Sequence, residues 1–267
     1  MNSSLASAGV ADQSRPAAWT DISAELLERY RRQIQLTGFG VSGQQRLAES
    51  TVLVSGVGGL GGTVALYLAA AGIGRLLLVR GGTLRLDDLN RQVLMRADGV
   101  GELRVDQAAE TLRRFNPHTI VEPIADYVNA ANANVLVARS TIVVDATHNF
   151  EERYLLNSAC VRAGVPMVEA AMDGMEAHLT TIVPGRTACL RCIAPEPPPW
   201  DKRAFGVIGA VPGALACLAA LEVIKHLTGC GPTLQGELAR FDFGDLSMRR
   251  LRLQRNPTCL CCGAVAP

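Results

Sequence analysis

Four cysteines fall into two spaced pairs, Cys189-x-x-Cys192 and Cys259-x-x-Cys262. Together they supply four thiolates, enough to close a tetrahedral zinc shell with no position left for water, so the expected metal is structural. The pairs lie too far apart for a compact zinc ribbon, and the ion would staple the chain's end to an earlier segment. Cys261, inside the second pair, could replace Cys259 or Cys262 as a ligand. Cys160, Cys217 and Cys230 sit in apolar or turn contexts and read as small core residues. Glycines carry the second chemistry. Gly56, Gly58 and Gly61, with Gly59 between them, satisfy G-x-G-x-x-G. Such a turn lets the backbone approach a phosphate closely and aims free amides of a helix start at it.

That turn works only between a strand and a helix, and the sequence provides both. Ser50–Ser55 is a short apolar, β-branched run, and the pattern after Gly59 is helical as far as Ala71, where Gly72 stops it. Arg75–Val79 then reads as a strand, which completes a βαβ unit. The alternation continues through strands at Ile120–Ile124, Thr141–Asp145, Pro166–Glu169, Ala177–Val183 and Glu237–Phe243. Helices are expected at Asp21–Gln35, capped by Asp21 or Ser23, and at Val105–Phe115, Glu151–Ala163 and Leu215–Leu227. The expected fold is α/β: one doubly wound, mostly parallel Rossmann-like sheet with helices on both faces and a four-cysteine zinc staple. Residues 1–20 read as a disordered tail and 21–267 as a single domain whose C-terminal segment binds zinc. Glu196–Trp200 begins a stiff exposed loop.

Composition removes other classes. The chain has 267 residues, 26 Lys plus Arg against 25 Asp plus Glu, and a net charge of +1. That balance offers nucleic acid no basic surface. The N-terminal residues lack a basic start and an apolar stretch, so no secretory signal is read there. Ala204–Leu221 is apolar but rich in Gly and Ala, interrupted by Pro212 and followed by Glu222 and Lys225. A helix buried against a sheet is therefore expected instead of a membrane span. A cytoplasmic protein with reduced thiols fits these features.

Taken in order, Arg29-Tyr30-Arg31-Arg32-Gln33, the Gly56–Gly61 turn, Leu89-Asn90-Arg91-Gln92, Asn116-Pro117, Asp145-Ala146-Thr147-His148-Asn149, Arg255-Asn256-Pro257 and both cysteine pairs resemble the ThiF/MoeB/HesA family, relatives of the ubiquitin-activating enzymes. The resemblance runs from Arg29 to Gly263. It implies a homodimer that uses ATP and Mg²⁺ to adenylate a carboxylate, either the C-terminus of a small ubiquitin-like sulfur carrier or a peptide or small-molecule acid. Carried onto this chain, it makes Arg91, Asp145 and Arg32 catalytic: Arg91 on the phosphates, Asp145 on Mg²⁺ and the α-phosphate, and Arg32 reaching the partner subunit's site. Gly56, Gly58, Gly59, Gly61, Arg104 and Asn149 would bind the nucleotide.

The sequence departs from the family pattern at four places. Arg80 and Gly82 stand where acids hold the ribose, Arg104 replaces a lysine, and His148 replaces an aspartate. No cysteine lies in Asp201–Phe205, so no thioester or persulfide step is expected. Three readings follow. The pocket still adenylates, or the chain is a catalytically degenerate protein that pairs with a carrier or an active homologue, or Arg80 holds the 2′-phosphate of NADP, a reading no other hydride-transfer feature supports. Residue alternatives also stand: Asp145 could cap the next helix, a role Asn149 could share. Arg91 could be a surface ion-pair residue, and Arg32 could pair with an acid on its own helix. Arg80 is expected to face solvent, and His148 to be a solvated or hydrogen-bonded loop residue.

Overall fold

The computed structural model describes residues 23–197 and 206–263. The expected tail, Asp21, most of the Glu196–Trp200 loop and Asp201–Phe205 lie outside them. In chain order the elements are α1 (Ala24–Ile34), α2 (Gly40–Glu49), β1 (Thr51–Ser55), α3 (Gly59–Ala71), β2 (Arg75–Val79), α4 (Arg104–Phe115), β3 (Ile120–Ile124), α5 (Ala133–Ala138), β4 (Ile142–Asp145), α6 (Phe150–Ala163), β5 (Met167–Asp173), β6 (Glu176–Ile182), α7 (Leu190–Ile193), α8 (Ala210–Thr228), β7 (Glu237–Asp242) and β8 (Ser247–Arg252).

The eight strands form one sheet in the order β3-β2-β1-β4-β5-β6-β7-β8. The pairings from β3 through β5 are parallel. Those from β5 onward are antiparallel. The parallel part is apolar on both faces because alternate residues enter different cores. Val52, Val54, Leu76 and Leu78 pack with α3, α4 and α8. Leu53, Leu77, Val143 and Met167 pack with α5, α6 and the cysteine segments. Both helical layers expected from the sequence are present.

Strand order reverses around β1. The chain moves outward to β2 and β3, then returns to place β4 on the other side, which opens a crevice at the C-terminal ends of β1 and β4. Ser55 and Asp145 are register partners at that crevice.

The apolar segment before Glu222 is α8, whose 19 residues are long and apolar enough to cross a membrane by length and composition alone. It packs against α3, β5 and β6. Pro212 does not interrupt it. The proline occupies the first turn, where its missing N–H has no intrahelical partner to lose. An outer side of α8 remains exposed, and Cys217, expected in the core, lies there. Cys160 is fully buried, and Cys230 is half-buried.

Candidate functional site

The glycine turn is built as its spacing implies. Gly56 has φ +96° and donates its N–H to Val79 O at 2.9 Å, and any side chain there would approach Ala146 O. Gly58 caps α3, whose first internal bond runs from Gly62 N to Gly58 O at 2.8 Å. The amides of Gly59, Leu60 and Gly61 therefore have no acceptor within the helix. At Gly61 a Cβ would lie 1.8 Å from Gly56 O. Gly61→Ala must open the turn. We expect nucleotide affinity to fall at least about tenfold, together with a loss of roughly 1–3 kcal/mol of stability from overpacking, read by calorimetry and urea unfolding. An unchanged affinity would show that the turn is not used.

Arg91 lies over this helix start, with its Cβ 3.1 Å from the place a Gly59 side chain would begin. Its guanidinium is folded onto its own loop. Nη1 donates to Asp87 O at 2.7 Å and Asn90 Oδ1 at 2.8 Å, and Nη2 donates to buried Asp88 Oδ1 at 2.9 Å. The start of α8 closes on the same loop, since a Gly209 side chain would meet Asn90 O.

Asp145 ends β4 and is wholly buried. Its Oδ1 accepts from the Thr147 N–H at 3.1 Å and hydroxyl at 2.9 Å. Its Oδ2 has no hydrogen-bond partner, and the nearest charge is Arg153 Nη1 at 3.6 Å. Burial pushes the carboxyl above the usual range; Arg153 opposes the rise and Glu169 adds to it. A buried carboxylate oxygen that accepts no hydrogen bond fits a divalent cation, which prefers such hard ligands.

Sequence reasoning missed the charges behind Asp145. Arg153 donates to Glu169 Oε1 at 2.5 Å and to Thr147 O at 2.6 Å. His178 Nε2 lies 3.0 Å from Glu169 Oε2. Burial alone would raise the Glu169 carboxyl, but His178 and Arg153 together hold it below the carboxylate range. Glu169 in turn raises His178. The available signal was Glu169 itself, an acid set in the apolar run of a buried strand.

Asn149 is the N-cap of α6: its Oδ1 accepts from Glu152 N at 2.8 Å, and its Nδ2 donates to the Glu152 carboxylate. Capping thus falls to Asn149, not to Asp145.

The four departures are joined in space. Arg80 is not solvent-facing as expected. It is half-buried at the end of β2, with Nη1 2.9 Å from His148 Nδ1 and its guanidinium 5.3 Å from the Tyr127 ring centre. Gly82, at φ +82°, leaves room for Arg104, whose Nη2 lies 2.9 Å from where a Cβ would sit. Arg104 Nη2 donates to Gly81 O at 3.0 Å, and Nη1 lies 3.8 Å from Asp88 Oδ2.

Arg32 is not at this site. It is exposed on α1, while its neighbours Tyr30 and Gln33 anchor that helix at the far end of α3 through Asn116 and Ala71 O. The length of α3, about 20 Å, separates them from the glycine turn. No acid on α1 holds Arg32; Glu28 pairs with Arg31.

The cysteine pairs meet. The Sγ atoms of Cys189, Cys192, Cys259 and Cys262 all lie within 4.8 Å of one another. Separations of 4.0 Å (Cys189 to Cys192), 3.8 Å (Cys189 to Cys259) and 3.5 Å (Cys192 to Cys262) match the roughly 3.8 Å edge of a zinc tetrathiolate. They are too long for disulfides. Cys261 is not one of these four: its Sγ lies beside Cys189 and takes the Asn157 amide at 3.1 Å. Burial pushes the Cys192 thiol up to about 12, so a thiolate there needs a cation.

The comparisons show the family and the fold. The ThiF family model matches residues 30–261. Protein HesA of Leptolyngbya boryana is 58% identical over 247 residues, covering 92% of this chain and 89% of that protein. The Bos taurus adenylyltransferase and sulfurtransferase MOCS3 is 44% identical over 248 residues, covering 91% of this chain and 54% of that protein, so the chain spans about half of it. Among solved structures, E. coli MccB with MccA-N7isoASN superposes with a TM-score of 0.80 at 25% identity, covering 93% of this chain and 77% of that one.

Proposed function

The chain belongs to the ThiF family, and from that premise we propose that it activates a carboxylate as an acyl-adenylate. The favoured substrate is the C-terminus of a small ubiquitin-like sulfur carrier, with a peptide or small-molecule acid as the other class. MOCS3, a relative named for adenylyl transfer, supports the chemistry. A carboxylate oxygen attacks the α-phosphorus of ATP, the bond to the leaving pyrophosphate breaks, and a mixed anhydride forms. Both reactants are anions, so the site must supply positive charge and orientation. The amides of Gly59, Leu60 and Gly61 receive phosphate oxygens, and Arg91 adds a guanidinium beside them. Asp145 Oδ2 would hold Mg²⁺, which neutralises triphosphate charge. Arg32, a helix length from its own turn, would serve the site of a second copy in a homodimer. Zinc at the four cysteines is structural.

The observation that carries this reading is the buried Oδ2 of Asp145, which accepts no hydrogen bond, at the crevice that the glycine turn lines. Exchange of labelled pyrophosphate into ATP, driven by candidate carriers or glycine-terminated peptides, tests it. We expect exchange that falls about a hundredfold or more in Asp145→Asn. One observation favours the degenerate alternative: the Arg91 guanidinium is already committed to Asp88 and its own loop. No exchange with any candidate and no ATP binding, in a protein that still captures a carrier, would establish that alternative.

A further inference from the structure

Arg80 is a half-buried guanidinium without a carboxylate. Among the described residues its guanidinium meets a ring nitrogen, His148 Nδ1, and the face of the Tyr127 ring. The acids nearby are engaged elsewhere. Asp88 serves Arg91 and the Arg85 N–H, and Glu152 serves Val128 N and Asn149. A second guanidinium, Arg104, shares the space; its Nε is buried with no hydrogen-bond partner. A cation held away from water without an anion is costly, and a second guanidinium nearby adds to that cost even though Arg104 itself faces Asp88 at 3.8 Å. Burial, and then Arg104, lower the pKa of Arg80. Its location is specific. Val79 O bonds Gly56 N, so Arg80 stands directly beside the glycine turn, at the strand end where doubly wound sheets receive the ribose.

We propose that this pocket reads the ribose through Arg80 and Arg104 as an anion site, taking nucleotides that carry a phosphate monoester on the 2′- or 3′-hydroxyl. A carboxylate at the same place repels such a group, whereas a guanidinium receives it with paired N–H donors. Gly82 belongs to this design, because it vacates the volume that Arg104 occupies. The inference rests on the nucleotide half of the adenylation reading and names its specificity.

Calorimetry on the full chain with 5′-AMP, adenosine 2′,5′-bisphosphate and adenosine 3′,5′-bisphosphate tests it, with ATP titrated in parallel. We expect one bisphosphate to bind at least tenfold tighter than 5′-AMP, and the comparison of the two tells which hydroxyl is read. Arg80→Ala should abolish that ratio. His148→Asp, which hands Arg80 a carboxylate, should reduce it without removing the guanidinium. Equal affinities in the unmodified protein, no binding of any of the three, or an equal loss for all three in Arg80→Ala would overturn the proposal. The two readings separate cleanly. Pyrophosphate exchange without a bisphosphate preference removes only this inference, and a bisphosphate preference without exchange removes only the adenylation reading.

Discussion

Arg153→Met is expected to lower stability by about 3–5 kcal/mol, the cost of breaking a buried ion pair from one side. The arginine is 8% exposed and stands between two carboxylates that never meet water, Asp145 and Glu169. These are register partners on adjacent strands, so without the guanidinium two anions would face each other inside the sheet. Asp145, already raised by burial, would then favour its protonated form more strongly while His178 still faces Glu169, and the loss should grow as pH rises through the elevated Asp145 value. Urea unfolding followed by circular dichroism, at several pH values, gives the number. Arg153→Met combined with Glu169→Gln should recover much of it, because one of the stranded charges is gone. A loss below about 1 kcal/mol at neutral pH would mean that water, not Arg153, balances Asp145.

The parallel half of the fold was legible because burial on both faces leaves continuous apolar runs. Val52 to Val54 and Leu76 to Val79 can be little else than inner strands. The antiparallel end was not legible to the same degree. β8, SMRRLR, is exposed along its whole length and carries no apolar alternation to announce it. Two glycines and several polar residues hid α2, and α5 was too short to show a period. Partner direction escaped too, since a run such as Glu176–Ile182 looks the same whether its neighbour is parallel or antiparallel.

At the site, the glycine turn and the cysteine set were legible because each depends on local spacing. Relations between distant residues were not. Arg80 and His148 stand 68 residues apart, and only the fold brings them to 2.9 Å. Counted singly, the departures at Arg80, Gly82, Arg104 and His148 look like independent losses. In space Arg80 meets His148 and Arg104 fills the room Gly82 leaves, so the changes depend on one another. The fold likewise hid Arg153, which faces both Asp145 and Glu169, and His178, which pairs with Glu169.

Removing zinc is the second large effect. The segment from Arg255 to Gly263 has little structure of its own. It holds to the body through Cys259 and Cys262 in the α6-side core and through Arg255, whose guanidinium reaches Gly185 O and Cys262 O. Thiols packed this closely hold together as thiolates only around a cation, and structural zinc is worth about 10–16 kcal/mol in small peptides. The segment adds no strand to the sheet, so the loss is expected as local release before global unfolding. Metal analysis should find one zinc per chain, falling well below that in Cys262→Ser. Limited proteolysis should then cut after β8 first, with a melting temperature lowered by several degrees. Cys261→Ser, at a sulfur that lies beside Cys189 but outside the four-sulfur set, should keep its zinc and serves as the control. Proteolysis and melting that ignore both chelator and Cys262→Ser would show that side-chain packing alone holds this segment in place.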